Sequence, residues 1–144
     1  NSQGVLDPYI TTWNVYWGYF NLEHVKEMAF TKDEFAKCSI VPGDLLVCEG
    51  GDVGRAAIWD KDIPMCIQNH IHRLRTYYPV CTAFYYFVFF VYKSIGLIGG
   101  KGIGIQGLSS SALGKLIFPL PPLAEQERII KQVAIILNKL KDED

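Results

Sequence analysis

The chain is short of net charge. Among 144 residues, 14 basic side chains stand against 15 acidic ones, which leaves −1 at pH 7. A uniformly basic surface of the kind that neutralises phosphates is therefore excluded as an average property. The four cysteines, Cys38, Cys48, Cys66 and Cys81, form no C-x-x-C pair, and no histidine stands at zinc-finger spacing, so a metal site is not expected. Four buried, reduced thiols in a cytoplasmic protein are the expectation. Long apolar runs are also missing: Val80 to Tyr92 spans about 13 residues before Lys93, too short for a bilayer, and reads as a core helix. No signal peptide is recognisable, nothing repeats at a fixed period, and no low-complexity tract occurs. The chain contains no HExxH, no nucleophile elbow, no paired acids in a strand context and no methyltransferase-type Asn or Asp before Pro-Pro-aromatic.

What is present is apolar content enough for one core, 49% of the chain with 13% aromatic. The charges are unevenly placed. Acids gather at Glu23, Glu27, Asp33 and Glu34 and again from Glu125 to Asp144, while Arg55, His70, His72, Arg73, Arg75, Lys93 and Lys101 occupy the middle. The β-branched and aromatic stretch from Tyr9 to Phe20 predicts a strand broken near Asn14 or Gly18. Thr31 followed by Glu34 fits a capping box that opens a short helix. Pro42-Gly43-Asp44 supplies a turn ahead of a predicted antiparallel meander: Leu45 to Cys48, Ala56 to Trp59 and Met65 to Leu74. A helix over about 82–95, a glycine-rich loop, a helical turn near Ser110 to Lys115 and a short strand from Leu116 to Pro119 complete the body.

Pro119, Pro121 and Pro122 then force an extended approach to a helix that begins at or after Pro122, with Glu125 and Glu127 at its positive end. Along it Ile130, Val133, Leu137 and Leu140 step by three, four and three, the spacing of a seam that pairs with another helix. Packing of this stripe on its own domain is the alternative.

The junction from Phe118 to Ile130 resembles the segment that joins a target recognition domain to its conserved helix in specificity subunits of type I restriction-modification systems. The likeness extends to Val41-Pro42-Gly43-Asp44-Leu45-Leu46-Val47 followed by Gly50 and Gly54-Arg55, to the run from Gln68 to Arg75, and to Gly102 through Gln106 ahead of Leu108-Ser109. These motifs cover roughly residues 9 to 137 in the family's order. The family's opening strand would precede Asn1, and a full subunit carries two recognition domains and two long helices, so the expectation is one domain lacking its beginning, with one shortened helix. The resemblance implies an α+β fold: a mixed β-sheet recognition domain with short helices over residues 1–120, then a coiled-coil-type helix over 121–144. It also implies sequence-specific binding of double-stranded DNA without catalysis. Methyltransferase (modification) and restriction subunits would use S-adenosylmethionine, ATP and magnesium, and this chain would bind none of them.

Candidate DNA-binding residues follow from chemistry and position. In the glycine loop, Lys101 suits phosphate or guanine and Gln106 can pair with adenine in two places. The same loop, Gly102-Ile103-Gly104-Ile105-Gln106-Gly107, matches G-x-G-x-x-G, which leaves a small nucleotide-using enzyme as an alternative. The helix before it and the absence of a βαβ context weigh against that. Arg55 is expected to project from a hairpin tip. Strand alternation over 68–73 would place Gln68, His70 and His72 on one face and Asn69, Ile71 and Arg73 on the other, so Gln68, His70 and Arg73 are candidates, with internal hydrogen bonding as the alternative. Thr11, Thr12 and Asn14 are candidates for phosphate bonds, while Tyr9, Trp13, Tyr16, Trp17, Tyr19 and Phe20 are read chiefly as core. A protein-interaction adaptor docking through aromatics and helix is the third reading.

Overall fold

The computed structural model describes residues 4–99 and 104–141. Its centre is strand β5, Leu45–Cys48, of which every residue is buried. A strand buried on both faces reads as a continuous apolar run, which is what Leu-Leu-Val-Cys is. Leu46 and Cys48 face one core with Ile10, Val15, Trp59 and Ile71. Leu45 and Val47 face a second core with Ala56, Phe89, Ile98 and Leu108. Burial pushes the Cys48 thiol above its ordinary range, as suits an inert core cysteine.

Antiparallel neighbours flank β5: β6, Ala56–Ile58, on one side and β8, Ile71–Leu74, on the other. A second sheet places β1, Val5–Ile10, between β4, Lys26–Phe30, which is antiparallel, and β7, Cys66–Ile67, which is parallel. A two-residue pair, β2 Val15–Tyr16 and β3 Tyr19–Phe20, closes over Gly18 at a φ of 78°. The expected break of the 9–20 stretch is thus present at both Asn14 and Gly18, although the strand itself starts at Val5.

Helix α1, Lys32–Cys38, begins at the capping box the sequence announces: Thr31 accepts from the Glu34 N–H and the Glu34 carboxylate accepts from the Thr31 N–H. Those bonds hold the Glu34 carboxyl below its usual range. Helix α2, Thr82–Ser94, buries Phe84, Val88 and Phe89, and Phe89 joins the second core. After α3, Ser110–Leu113, the chain runs along α2 into α4, Leu123–Lys141.

Three expectations are corrected. Met65 to Leu74 is not one strand, because His70 takes a φ of 73° and splits it into β7 and β8, which join different sheets. The meander is therefore interrupted by a parallel pair. Leu116 to Pro119 is not a strand either. Prolines remove donors from the ladder, and the segment is held by tyrosyl hydroxyls on α2, Tyr85 donating to Pro119 O at 3.3 Å and Tyr92 to Ile117 O. The four-thiol expectation fails for Cys38 and Cys66, which are disulfide-bonded with Cα atoms 4.9 Å apart. The anti bridge between Ser39 and Cys66 brings the end of α1 beside β7, and a sequence separation of 28 carries no hint of it.

At the entry to β5, Asp44 is 1% exposed. Its carboxylate accepts the Val41 N–H at 2.9 Å and both forks of Arg75 at 2.6 Å, while its carbonyl accepts from Trp59 N–H at 2.8 Å. The pairing raises the Arg75 pKa further. Bidentate geometry and a buried acceptor give this joint charge-assisted hydrogen bonds at the entry to the sheet.

Two outcomes follow. Asp44→Ala should lower unfolding free energy by about 2 kcal/mol in urea titration, because it removes the buried carboxylate that accepts from Val41 N–H and from Arg75, while both donor residues, being half-exposed, recover water. Alkylation in denaturant should modify two cysteines per chain without reductant and four with it. Reduction should destabilise by about 3.5 kcal/mol, the loop-closure entropy for cysteines 28 positions apart.

Candidate nucleic-acid interface

Beyond the carboxyl end of β5, four connections meet. The first is the turn from Thr11 to Asn14, the second the glycine-rich turn from Glu49 to Gly54, the third the turn from Gln68 to His70, and the fourth the segment from Gly104 to Ser109. Hydrogen bonds tie them to one another. Arg55 Nη2 donates to Thr12 O at 2.6 Å, Glu49 N–H donates to His70 O at 2.8 Å, and Leu108 N–H donates to Glu49 O at 3.4 Å. His72 Nε2 also pairs with Leu108 O. Lys93, at the end of α2, donates to Val53 O at 2.9 Å and pairs with Asp52 at 2.8 Å. The result is a polar rim on a rigid base.

Gly54 belongs to this base, for its φ is +84° and a Cβ there would stand 2.7 Å from Ile98 Cγ2. The fourth segment folds back on the α2 exit: Gly99 N–H donates to Ile105 O at 2.6 Å and Ile105 N–H to Leu97 O at 2.8 Å. A Cβ on Gly104 would lie 2.2 Å from Gly96 O. The glycine is thus required by backbone packing within the chain, so a pyrophosphate is not needed to explain it.

The expected site residues divide. Arg55 does not project from a hairpin tip. Its guanidinium turns inward over the Tyr16 ring, 5.3 Å from the centroid, and donates to Thr12 O, because that carbonyl and ring lie directly across the turn. Arg73 is likewise a brace, donating to Ser39 O and linking β8 to the end of α1. The alternation over 68–73 fails at His70, whose positive φ turns the chain. His70 is exposed with Nδ1 3.8 Å from a Glu49 carboxylate oxygen, while the Gln68 amide faces Met28 Sδ at 3.9 Å. Thr11 donates its hydroxyl to Asn14 Oδ1 at 2.9 Å, and Thr12 sits beside Gly51. Gln106 is exposed and its Nε2 donates to Gly104 O at 3.3 Å. Lys101 and Gly102 lie outside the described residues.

Residues that sequence reasoning undervalued hold the frame. Asn14 is buried, accepts Thr11 N–H at 3.0 Å and donates to Asn21 O and His24 O at 3.0 and 3.1 Å. Its signal was a local side-chain-to-backbone bond reaching three residues back, Thr-x-x-Asn. Gln126, 1% exposed, accepts Cys81 N–H at 2.9 Å and donates to Pro121 O at 2.8 Å, fastening the start of α4 to the start of α2. On α4 the expected seam is divided. Ile130 and Val133 are half-buried near the domain, whereas Leu137 and Leu140 are 44% and 56% exposed.

A family model for the type I restriction modification DNA specificity domain matches residues 8–143. The chain belongs to that family. The match lends no support to the nucleotide-enzyme or the adaptor alternative. Among solved structures, the domain is similar to a chain described in work on complex assembly and conformational transition of the type I R-M system. The TM-score is 0.69 at 18% identity, over 99% of this chain and 33% of that one. The likeness shows the α+β fold, and this specificity domain spans about a third of that chain's length. No curated protein matches it. No helix among the described residues is long and apolar enough to cross a membrane.

Gly104→Ala should open the fold-back independently of any ligand. Hydrogen exchange at the Gly99 and Ile105 amides should accelerate at least tenfold, equivalent to about 1.4 kcal/mol of lost local stability.

Proposed function

We propose that this specificity domain reads double-stranded DNA as the specificity subunit, or part of it, of a type I restriction-modification enzyme and performs no chemistry itself. The observation that carries the reading is the family match over residues 8–143, and the convergence of four polar connections beyond β5 supports it. Residues 1–120 form the reader and 121–144 the helical spacer. Lys101 contacts phosphate and Gln106 a base edge. Gln68 and His70 border the same rim from the third turn, and Thr11 and Thr12 border it from the first. Arg55 and Arg73 act behind it by holding its base.

The modification and restriction subunits supply catalysis with S-adenosylmethionine, ATP and magnesium, none of which this chain binds. On α4, Ile130, Val133, Leu137 and Leu140 pair with a second helix, from another copy or from a second half of the same subunit, and set the distance between two readers. Exposure of Leu137 and Leu140 supports that role, since apolar side chains at seam spacing have area left to bury. The working compartment is the prokaryotic cytoplasm.

The test is titration of the full chain, with the modification subunit present, against randomised duplex pools at several salt concentrations. Lys101→Ala should weaken all sequences alike and reduce the salt slope by about 1. Gln106→Ala should relax preference at one position by about 1–3 kcal/mol with little change of slope. Equal, sequence-blind losses in both variants would remove Gln106 from base reading.

A further inference from the structure

The chain has three tryptophans, and two are used inside. Trp59 is fully buried, and Trp17 packs edge-on against Tyr86 and Phe90 of α2 at 6.0 and 5.3 Å between ring centroids. Trp13 is 84% exposed. An indole left in water forgoes one of the largest apolar burials a side chain offers. A floppy loop would explain that, but this turn is not floppy. Asn14 N–H donates to Thr11 O at 2.9 Å, the Asn14 amide makes the four bonds to Thr11, Asn21 and His24, and Arg55 clamps Thr12 O. The residues on either side of Trp13 are thus pinned from within, and the indole is displayed outward by a framework already ordered. Such preorganisation lowers the entropic cost of a contact.

We propose that Trp13 is a contact residue for duplex DNA, its indole packing as an apolar wedge against base edges in a groove. The inference rests on the DNA-recognition reading above and adds to it a residue, a place and a mode of contact. Two features favour DNA over a protein partner. The turn joins the polar rim directly, through Arg55 and through Gly51, where a Cβ would meet only Thr12 Oγ1 at 4.0 Å, leaving room for close approach of a ligand backbone. The neighbours Thr11, Thr12 and Asn14 are polar and do not form the apolar surround that a protein hot spot of this size uses to exclude water. A lone planar wedge on a polar rim suits a surface of sugars and base edges, where apolar side chains part base steps.

The experiment uses the full chain with the modification subunit and a duplex selected from a randomised pool by that complex. Acrylamide quenching of tryptophan emission should fall when duplex is added to the wild type and should not change in Trp13→Phe. Trp13→Ala should weaken binding about 10-fold to 100-fold, the range of aromatic–base contacts, without altering the salt slope, because an indole releases no counterion. Its thermal unfolding midpoint should match the wild type, which separates lost contact from lost fold. Unchanged affinity in Trp13→Ala, or protection of Trp13 by the modification subunit before DNA is added, would overturn the proposal while leaving DNA recognition standing. Absence of any salt-sensitive duplex binding by the wild-type complex would overturn the recognition reading and this inference together.

Discussion

The structure depends on burial of both faces of β5. Four residues divide their side chains between two cores, so that the sheet carrying β1 and α1 lies on one side and α2 with the 104–118 segment on the other. Side chains alternate across a strand, and a slip of one residue would send Leu46 and Cys48 into the wrong core. The register is fixed at the entry by Asp44, whose carboxylate and carbonyl pin Val41, Trp59 and Arg75. Both ends of β5 then acquire distinct work. The entry carries the Asp44 joint, and the exit supports the rim of four connections.

That division explains where the positive charges go. Arg55, Arg73, Arg75 and Lys93 each bond a carbonyl or carboxylate of the chain itself. In a protein with a net charge of −1, basic side chains spent on internal joints are withdrawn from the phosphate field. In the proposed reading surface, Gln106, His70, Thr12 and the indole of Trp13 stand on turns that Arg55, Arg73 and Lys93 brace from within the chain. Specificity is better served by such groups than by bulk charge, since phosphate contacts position a duplex whereas base-edge contacts distinguish sequences.

Much of the frame was legible because its signals are local. Thr31 and Glu34 form the capping box that their spacing announces, Pro42-Gly43-Asp44 opens β5, α2 occupies the apolar run after Val80, and the prolines up to Pro122 deliver the start of α4. The family likeness carried by those motifs agreed with the model match. The errors share a cause. A positive φ at His70, a disulfide between Cys38 and Cys66, and tyrosyl hydroxyls replacing a sheet partner for 116–119 all depend on segments far apart in the chain. Of the expected site residues, Arg55 and Arg73 looked like DNA contacts because arginine suits phosphate anywhere. Their internal acceptors lie 43 and 34 positions away.

The amino-acid sequence by itself determined where α1, α2 and α4 begin, the apolar centre at β5 and the family likeness, because period, capping and proline restraint act over a few residues, whereas β4 and the split of β7 from β8 were set by partners distant in the chain. Only the tertiary structure decided which polar side chains are braces and which are displayed. That choice is made by whichever carbonyl or ring arrives across the fold: Thr12 O and Tyr16 draw Arg55 inward, while nothing among the described residues covers Trp13 beyond its own braced turn.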